Sequence, residues 1–229
     1  MPAVKYYPLF MDLAGRECLV VGAGAVAARK VRALLDCGAR VTVIGETPAA
    51  AFSTLERRGV RVESRRFRAS DVGRQALVIA ATDDRAVNAA VAAAARRRRI
   101  PVNAVDDPPN CTFIVPAVLR RGDVTVAVST GGKSPAAARL VKERIAGLLG
   151  DEYAALVRLF GAHRGAMRQS VAGQGQRARA WKRMLDHGVL ESLRQGDRTG
   201  AEATVRRCLD EAGCRSDRTP RPARARRRK

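Results

Sequence analysis

The chain has 229 residues, 43 Lys and Arg against 22 Asp and Glu, and a formal net charge of +21. At 46% hydrophobic it can bury a core, which excludes a wholly disordered chain, and its length suits one large domain or two small ones. No apolar run approaches the roughly 18 residues that cross a bilayer. The start, Met1 to Lys5, lacks the basic-then-apolar pattern of a signal peptide, so a soluble cytoplasmic protein is expected. With only 4% aromatics, the core must come mainly from Ala, Val, Leu and Ile.

Glu17–Val21 is a short apolar run that reads as a buried strand. Gly22-Ala23-Gly24-Ala25-Val26-Ala27 follows, then a helical pattern through Cys37 with Gly38 as its stop. Ala39–Ile44 is a second strand. Strand, glycine turn, helix and strand in this order open a dinucleotide-binding unit. Gly22 permits the sharp exit from the strand. Gly24 lets backbone approach a diphosphate, and Ala27 lets the helix pack closely on the sheet. The amides at Ala25 and Val26 would then face the phosphates. A ligand-free tight turn is the alternative. Beyond the second strand, Glu46 and Thr47 occupy the place where such folds meet the adenosine ribose. Glu46 can accept from a ribose hydroxyl and would repel a 2′-phosphate, which favours NAD over NADP. It can equally be a solvated residue leading into the next helix.

The alternation continues with strands at Val60–Glu63 and Leu77–Ala81. Thr82-Asp83-Asp84 then forms a helix-capping region before an Ala-rich helix from Arg85 to Arg99. A fifth strand follows Pro101, starting at Val102. Thr82, Asp83, Asn103 and Asp106 would share the carboxyl edge of a parallel sheet, where ligands bind. Asp106-Asp107 before Pro108-Pro109 is also an ordinary turn composition. Phe113–Leu119 and Asp123–Ser129 flank Arg120-Arg121-Gly122 as a hairpin, with Pro116 at an exposed or bulged position. Ser129-Thr130-Gly131-Gly132-Lys133-Ser134-Pro135 leads into a helix through about Leu149, with Ser134 as N-cap. This loop is not a P-loop, because the glycine that motif needs is Ala127. It can still bind a carboxylate through its amides. From Asp151 to about Gly213 the spacing predicts two or three short helices.

The five cysteines, Cys18, Cys37, Cys111, Cys208 and Cys214, form no C-x-x-C pair. They read as reduced, mostly buried thiols rather than a disulfide framework or zinc site. His163 and His187 lie far from every motif, which argues against a histidine base. The basic charge reads either as capture of a polyanion or as a solvated Arg-rich surface. Without aromatic platforms or a binding motif, nucleic acid is not an expected partner. The tail from Ser216 onward holds seven basic residues and one acid, without apolar periodicity, and is expected to be disordered.

Five stretches together resemble the precorrin-2 dehydrogenase/sirohydrochlorin ferrochelatase family, the N-terminal module of siroheme synthase. They are Tyr7–Leu13, Gly22–Lys30, Ala80–Asp84, Asn103–Asp107 and Ala127–Ala136. Ala23 departs from the family's usual middle glycine. No counterpart of the methyltransferase module of fused forms is seen, so uroporphyrinogen methylation is not expected. The resemblance implies a Rossmann-like α/β fold with NAD bound over 1–112 and a hairpin–helix dimerisation region over 113–150. A helical domain over 151–214 and the basic tail over 215–229 complete the expected plan. It implies NAD-dependent oxidation of precorrin-2 to sirohydrochlorin by a homodimer, with ferrous iron insertion in some members and a polycarboxylate tetrapyrrole as substrate. Asp106 would be the catalytic carboxylate, with iron only transiently near it and no resident metal. Gly22, Gly24, Ala25, Val26, Glu46, Thr47, Thr82 and Asp83 would hold the cofactor. Asn103, Ser129, Thr130, Gly131, Gly132 and Ser134 would meet the substrate. A non-catalytic NAD-binding regulatory module would share the glycine turn without needing the Asn103/Asp106 pair.

Overall fold

A computed structural model describes residues 6–216, with side chains through residue 212. Beyond Ser216, the basic tail lies outside the described residues. Two compact units make up the chain. The first comprises residues 1–115 with 130–134, and the second the remainder.

The first unit is a five-stranded parallel sheet in the order β3-β2-β1-β4-β5. Its strands are β1 (Glu17–Val21), β2 (Arg40–Ile44), β3 (Arg61–Glu63), β4 (Leu77–Ala80) and β5 (Val102–Ala104). Helices α1 (Ala25–Leu35), α2 (Ala51–Glu56) and α3 (Arg85–Arg97) connect them. This is the doubly wound arrangement expected from the alternating pattern.

Strand periodicity decides which face each residue serves. Cys18 and Val20 of β1, with Leu77 and Ile79 of β4, join a core that holds Ala27, Val31 and Leu34 of α1 and Phe52 and Leu55 of α2. Leu19 and Val21, with Val78 and Ala80, join a second core that holds Val91, Ala92, Ala94 and Ala95 of α3. Both faces are covered, so the central strands read as continuous apolar runs.

In the second unit, β6 (Ala117–Arg121) and β7 (Val124–Val128) pair antiparallel, and α4 (Pro135–Leu148) packs on both. The hairpin differs from expectation in where it starts and turns. Pairing begins only after Pro116, which has no amide to donate, and Arg120 and Arg121 remain in the strand opposite Thr125 and Val124. The C-terminal stretch also differs. It forms four helices, two of them long: α5 (Asp151–Ser170), α6 (Gln174–Asp186), α7 (Val189–Arg194) and α8 (Arg198–Ser216). They enclose a core of Met167, Met184, Val189, Val205 and Cys208, flanked by Phe160 and Trp181 with ring centroids 4.4 Å apart. Gly161 and Gly165 lie inside α5, and glycine's low helix propensity is overridden by packing on α7 and α8.

Candidate functional site

At the exit of β1, Gly22 has φ +112°. A Cβ there would run into the carbonyl of Ala81 at the end of β4. No other L-residue fits both the backbone and the space. Gly24 is different. It caps α1 with φ −86° and no side-chain cap, and a Cβ built on it meets nothing within 4 Å. The first hydrogen bond of α1 runs from the Ala28 amide to the Gly24 carbonyl at 3.0 Å. The amides of Ala25, Val26 and Ala27 therefore have no intrahelical acceptor, and the helix dipole adds positive potential. Bare backbone at Gly24 and free amides in the first turn suit a dinucleotide diphosphate, so these residues fit NAD(P).

The end of β2 sets where an acid can stand. A Cβ on Gly45 would lie 2.6 Å from the Ala23 Cβ, so residue 45 can carry no side chain. Glu46 is the next residue, and its carboxylate accepts from Arg66 Nε at 2.7 Å. The Glu46 side chain is 62% exposed. Thr47 is exposed beside it.

Beyond β4, the Thr82–Asp84 turn is tied down by Asn88, which is 4% exposed. Asn88 Oδ1 accepts from the Thr82 amide at 3.2 Å and lies 2.8 Å from the Thr82 hydroxyl. Its Nδ2 donates to the Thr82 carbonyl at 2.9 Å. Asp84 caps α3, accepting from the Ala86 amide at 2.7 Å. The Thr82 hydroxyl is thus engaged within the protein, and its carbonyl and amide are too.

The Val105 amide donates to the Ala80 carbonyl at 2.9 Å, which carries β5 one residue past Ala104. Asp106 follows with φ +57°, a left-handed conformation that Asp tolerates better than most residues. Asp106 is exposed and its carboxylate makes no hydrogen bond or ion pair among the described residues. Asp107 is half-buried and accepts from Asn110 Nδ2 at 2.8 Å. The two neighbours therefore differ in kind: one carboxylate is available and the other is held.

Val26, Thr82, Asp83, Asp106 and Asp107 line one cleft of about 200 Å³. That is below the roughly 300 Å³ at which small-molecule pockets begin, so the cleft is too small to enclose a whole dinucleotide or tetrapyrrole. Glu46, Thr47 and the Ser129–Ser134 stretch do not line it. Asn103 lies behind it, 8% exposed, with Nδ2 donating to the Phe113 carbonyl at 3.0 Å. Its amide group serves the strand–loop junction, where Cys111 also closes back on the Ala104 carbonyl at 3.1 Å. In the loop, the Thr130 hydroxyl accepts from the Ser134 amide at 3.0 Å and lies 3.0 Å from the Ser134 carbonyl, so the turn before α4 is self-supporting.

Lys30 stands one helical turn after Val26, and half of it is buried. Burial pulls its ammonium below the usual lysine range and Arg29 adds to this, while Asp106 and Cys111 oppose it. A cation therefore sits within electrostatic reach of Asp106. In the sequence Lys30 only closes the Gly22–Lys30 stretch that carries the family resemblance. Asn88 was missed, although a lone amide in an Ala-rich helix could have flagged it. Arg66 offered no local signal, because its partner is twenty residues away.

Comparison with known proteins agrees in chain order with this layout. Residues 9–117 match a model for NAD(P)-binding domains, 121–148 match the sirohaem biosynthesis protein central region, and 152–209 match the sirohaem synthase dimerisation region. The dimerisation match thus falls on α5–α8, the stretch expected as a helical domain. The siroheme synthase of Methylococcus capsulatus is 45% identical over 96% of this chain and 46% of that protein. The siroheme synthase of Nitrosomonas eutropha is 41% identical over 87% of this chain and 42% of that protein. The chain spans less than half the length of these relatives. Among solved structures, "SirC, precorrin-2 dehydrogenase" shares the fold over 90% of this chain and 98% of its own, with TM-score 0.69 and 24% identity.

Proposed function

Because the chain belongs to the siroheme synthase family, carrying its NAD(P)-binding, central and dimerisation regions in order, we propose that it oxidises precorrin-2 to sirohydrochlorin with NAD as acceptor. One juxtaposition carries the reading: the available carboxylate of Asp106 and the first turn of α1 at Val26 line the same cleft. When bound, NAD supplies the acceptor for the hydride that leaves a substrate carbon. The α1 amides and the bare backbone at Gly24 hold the diphosphate, and Glu46 accepts from the ribose. Asp106 takes the proton that leaves the substrate with the hydride. Positioned general bases of this kind contribute about 10²–10⁴-fold. The basic surface concentrates a substrate that carries many carboxylates. The relatives' names and the likeness to SirC support the assignment.

The test is incubation of the purified chain with precorrin-2 and NAD. NADH and sirohydrochlorin should appear in equal amounts, and Asp106→Asn should slow the reaction by about 10²-fold or more while NADH binding is kept. NADH binding without turnover in the wild type would instead favour the regulatory module. Full turnover by Asp106→Asn would remove the role assigned to that carboxylate.

We propose as a second step in the same cleft the insertion of ferrous iron, as substrate, into sirohydrochlorin, which the family resemblance implies for some members and which the available Asp106 carboxylate can serve. Two pyrrole protons must leave as the ion enters, and Asp106 accepts them in turn. Sirohydrochlorin supplied with Fe²⁺ or Co²⁺ should give the metallated spectrum faster with wild type than with Asp106→Asn. Equal rates reject this step. The working form in this reading is a homodimer, supported by the match at 152–209 and by the exposed Leu140, Val141 and Leu148 of α4. Sedimentation should give twice 24.6 kDa.

A further inference from the structure

Glu46 is placed above against the adenosine ribose, but its partner Arg66 has no role in the chemistry derived so far, although the two are bonded at 2.7 Å. Two backbone features bring them together. Gly45 donates to the Glu63 carbonyl at 3.2 Å, which closes the end of β2 onto the end of β3. The Ala23 Cβ then forbids a side chain at residue 45, so the first side chain after β2 is Glu46. Just past the end of β3, Arg65 is committed elsewhere: it donates to Glu63 at 2.6 Å and to Asp71 at 2.9 Å. Arg66 is not committed in that way. Only its Nε is engaged, on Glu46 Oε1, and its side chain is 86% exposed. The Glu46 carboxylate keeps Oε2 for another donor.

We propose that Glu46 and Arg66 act as one cofactor-selecting unit, an inference that rests on the NAD-dependent reading above. Arg66 is a positioning residue that holds the Glu46 carboxylate so that its second oxygen accepts from the ribose 2′-hydroxyl. Glu46 in turn occupies a guanidinium that is otherwise well shaped for a 2′-phosphate. An acid alone would merely repel NADP. An acid paired with an exposed arginine stores the opposite preference one substitution away.

The test is direct binding of NADH and NADPH, by nicotinamide fluorescence or calorimetry, without turnover. The wild type should bind NADH the more tightly. Glu46→Ala should tighten NADPH by about tenfold or more, as charge-assisted bonds to phosphate replace repulsion, and should weaken NADH. The double variant Glu46→Ala/Arg66→Ala should lose the NADPH gain. Arg66→Lys in the Glu46→Ala background should keep part of it, since a point charge replaces a bidentate fork. The gained affinity should fall as salt rises. An NADPH gain that survives removal of Arg66, or no gain in Glu46→Ala, overturns the proposal while the NAD-dependent reading stands. Failure of the wild type to bind either nucleotide overturns both.

Discussion

Gly22 and Gly24 stand two residues apart in one turn, yet they answer to different demands. Gly22 is required by the protein itself, because its positive φ and the Ala81 carbonyl leave no room for a Cβ. Gly24 faces open space, and the protein alone would accept a side chain there. Substitution separates the two. Gly22→Ala should destabilise by more than about 2 kcal/mol, combining backbone strain with a clash, read as a drop in the urea midpoint. Gly24→Val should lower the urea midpoint only by the modest loss of a helix N-cap residue, about 1 kcal/mol, well short of Gly22→Ala, while weakening NADH by about tenfold or more, since its branches occupy the diphosphate's path. Unchanged NADH affinity in a folded Gly24→Val protein would contradict the diphosphate placement. The adjacent acids show the same division between structure and ligand. Asp107 is bound to Asn110, whereas Asp106 is left with its charge facing the cleft.

Among elements, the β3–β4 connection is held by charge as well as by Val72, which is buried in the second core with Phe67 packed against it. Arg65 bridges Glu63 of β3 and Asp71 of the 3-10 turn at Ala69–Asp71, and the Asp71 side chain is only 11% exposed. The Arg65 guanidinium, helped by the Arg68 amide, holds the Asp71 carboxyl below the usual carboxylate range. A depressed acid contributes stability that is present above its unfolded pKa, near 4, and is lost as pH falls below it. The wild type should therefore lose stability on acidification below about pH 4, and Asp71→Asn should flatten this part of the profile. Urea midpoints between neutral and acid pH measure it, and equal slopes in the two proteins would rule the linkage out. The β4–α3 connection uses an amide instead of a charge. Asn88 satisfies three polar groups of Thr82, so the ligand edge of β4 is rigid before any ligand arrives.

For the whole molecule, the net charge of +21 acts at a range that no single contact has. The polycarboxylate substrate proposed above would gain from that field as it approaches, and salt weakens the field over a Debye length of about 10 Å at 0.1 M. KM for precorrin-2 should rise with added salt while kcat stays nearly constant. A KM insensitive to ionic strength would return the charge to the status of a solvated surface. The proposed homodimer belongs to this scale too, and the exposed Leu140, Val141 and Leu148 of α4 are apolar surface that a second copy could cover.

What could be read from the residues alone was whatever depends on near neighbours in the chain. The glycine turn, the parallel sheet with helices between its strands, and Pro135 opening α4 all follow from φ preferences and from periods of 2 and 3.6. The shared edge that brings Val26, Thr82 and Asp106 to one cleft follows from strand order. The partners of polar groups were out of reach, because they form across long loops once the sheet has closed. Asn103 carried the expectation of a substrate contact, and folding turned its amide to Phe113. Glu46 looked like an isolated acid until β3 delivered Arg66. The length of α5 and α8 was hidden for a related reason: the apolar spacing marks helix locally, but Gly161, Gly165 and Gly200 interrupt it, and the core around Met167 and Met184 carries the helices across them.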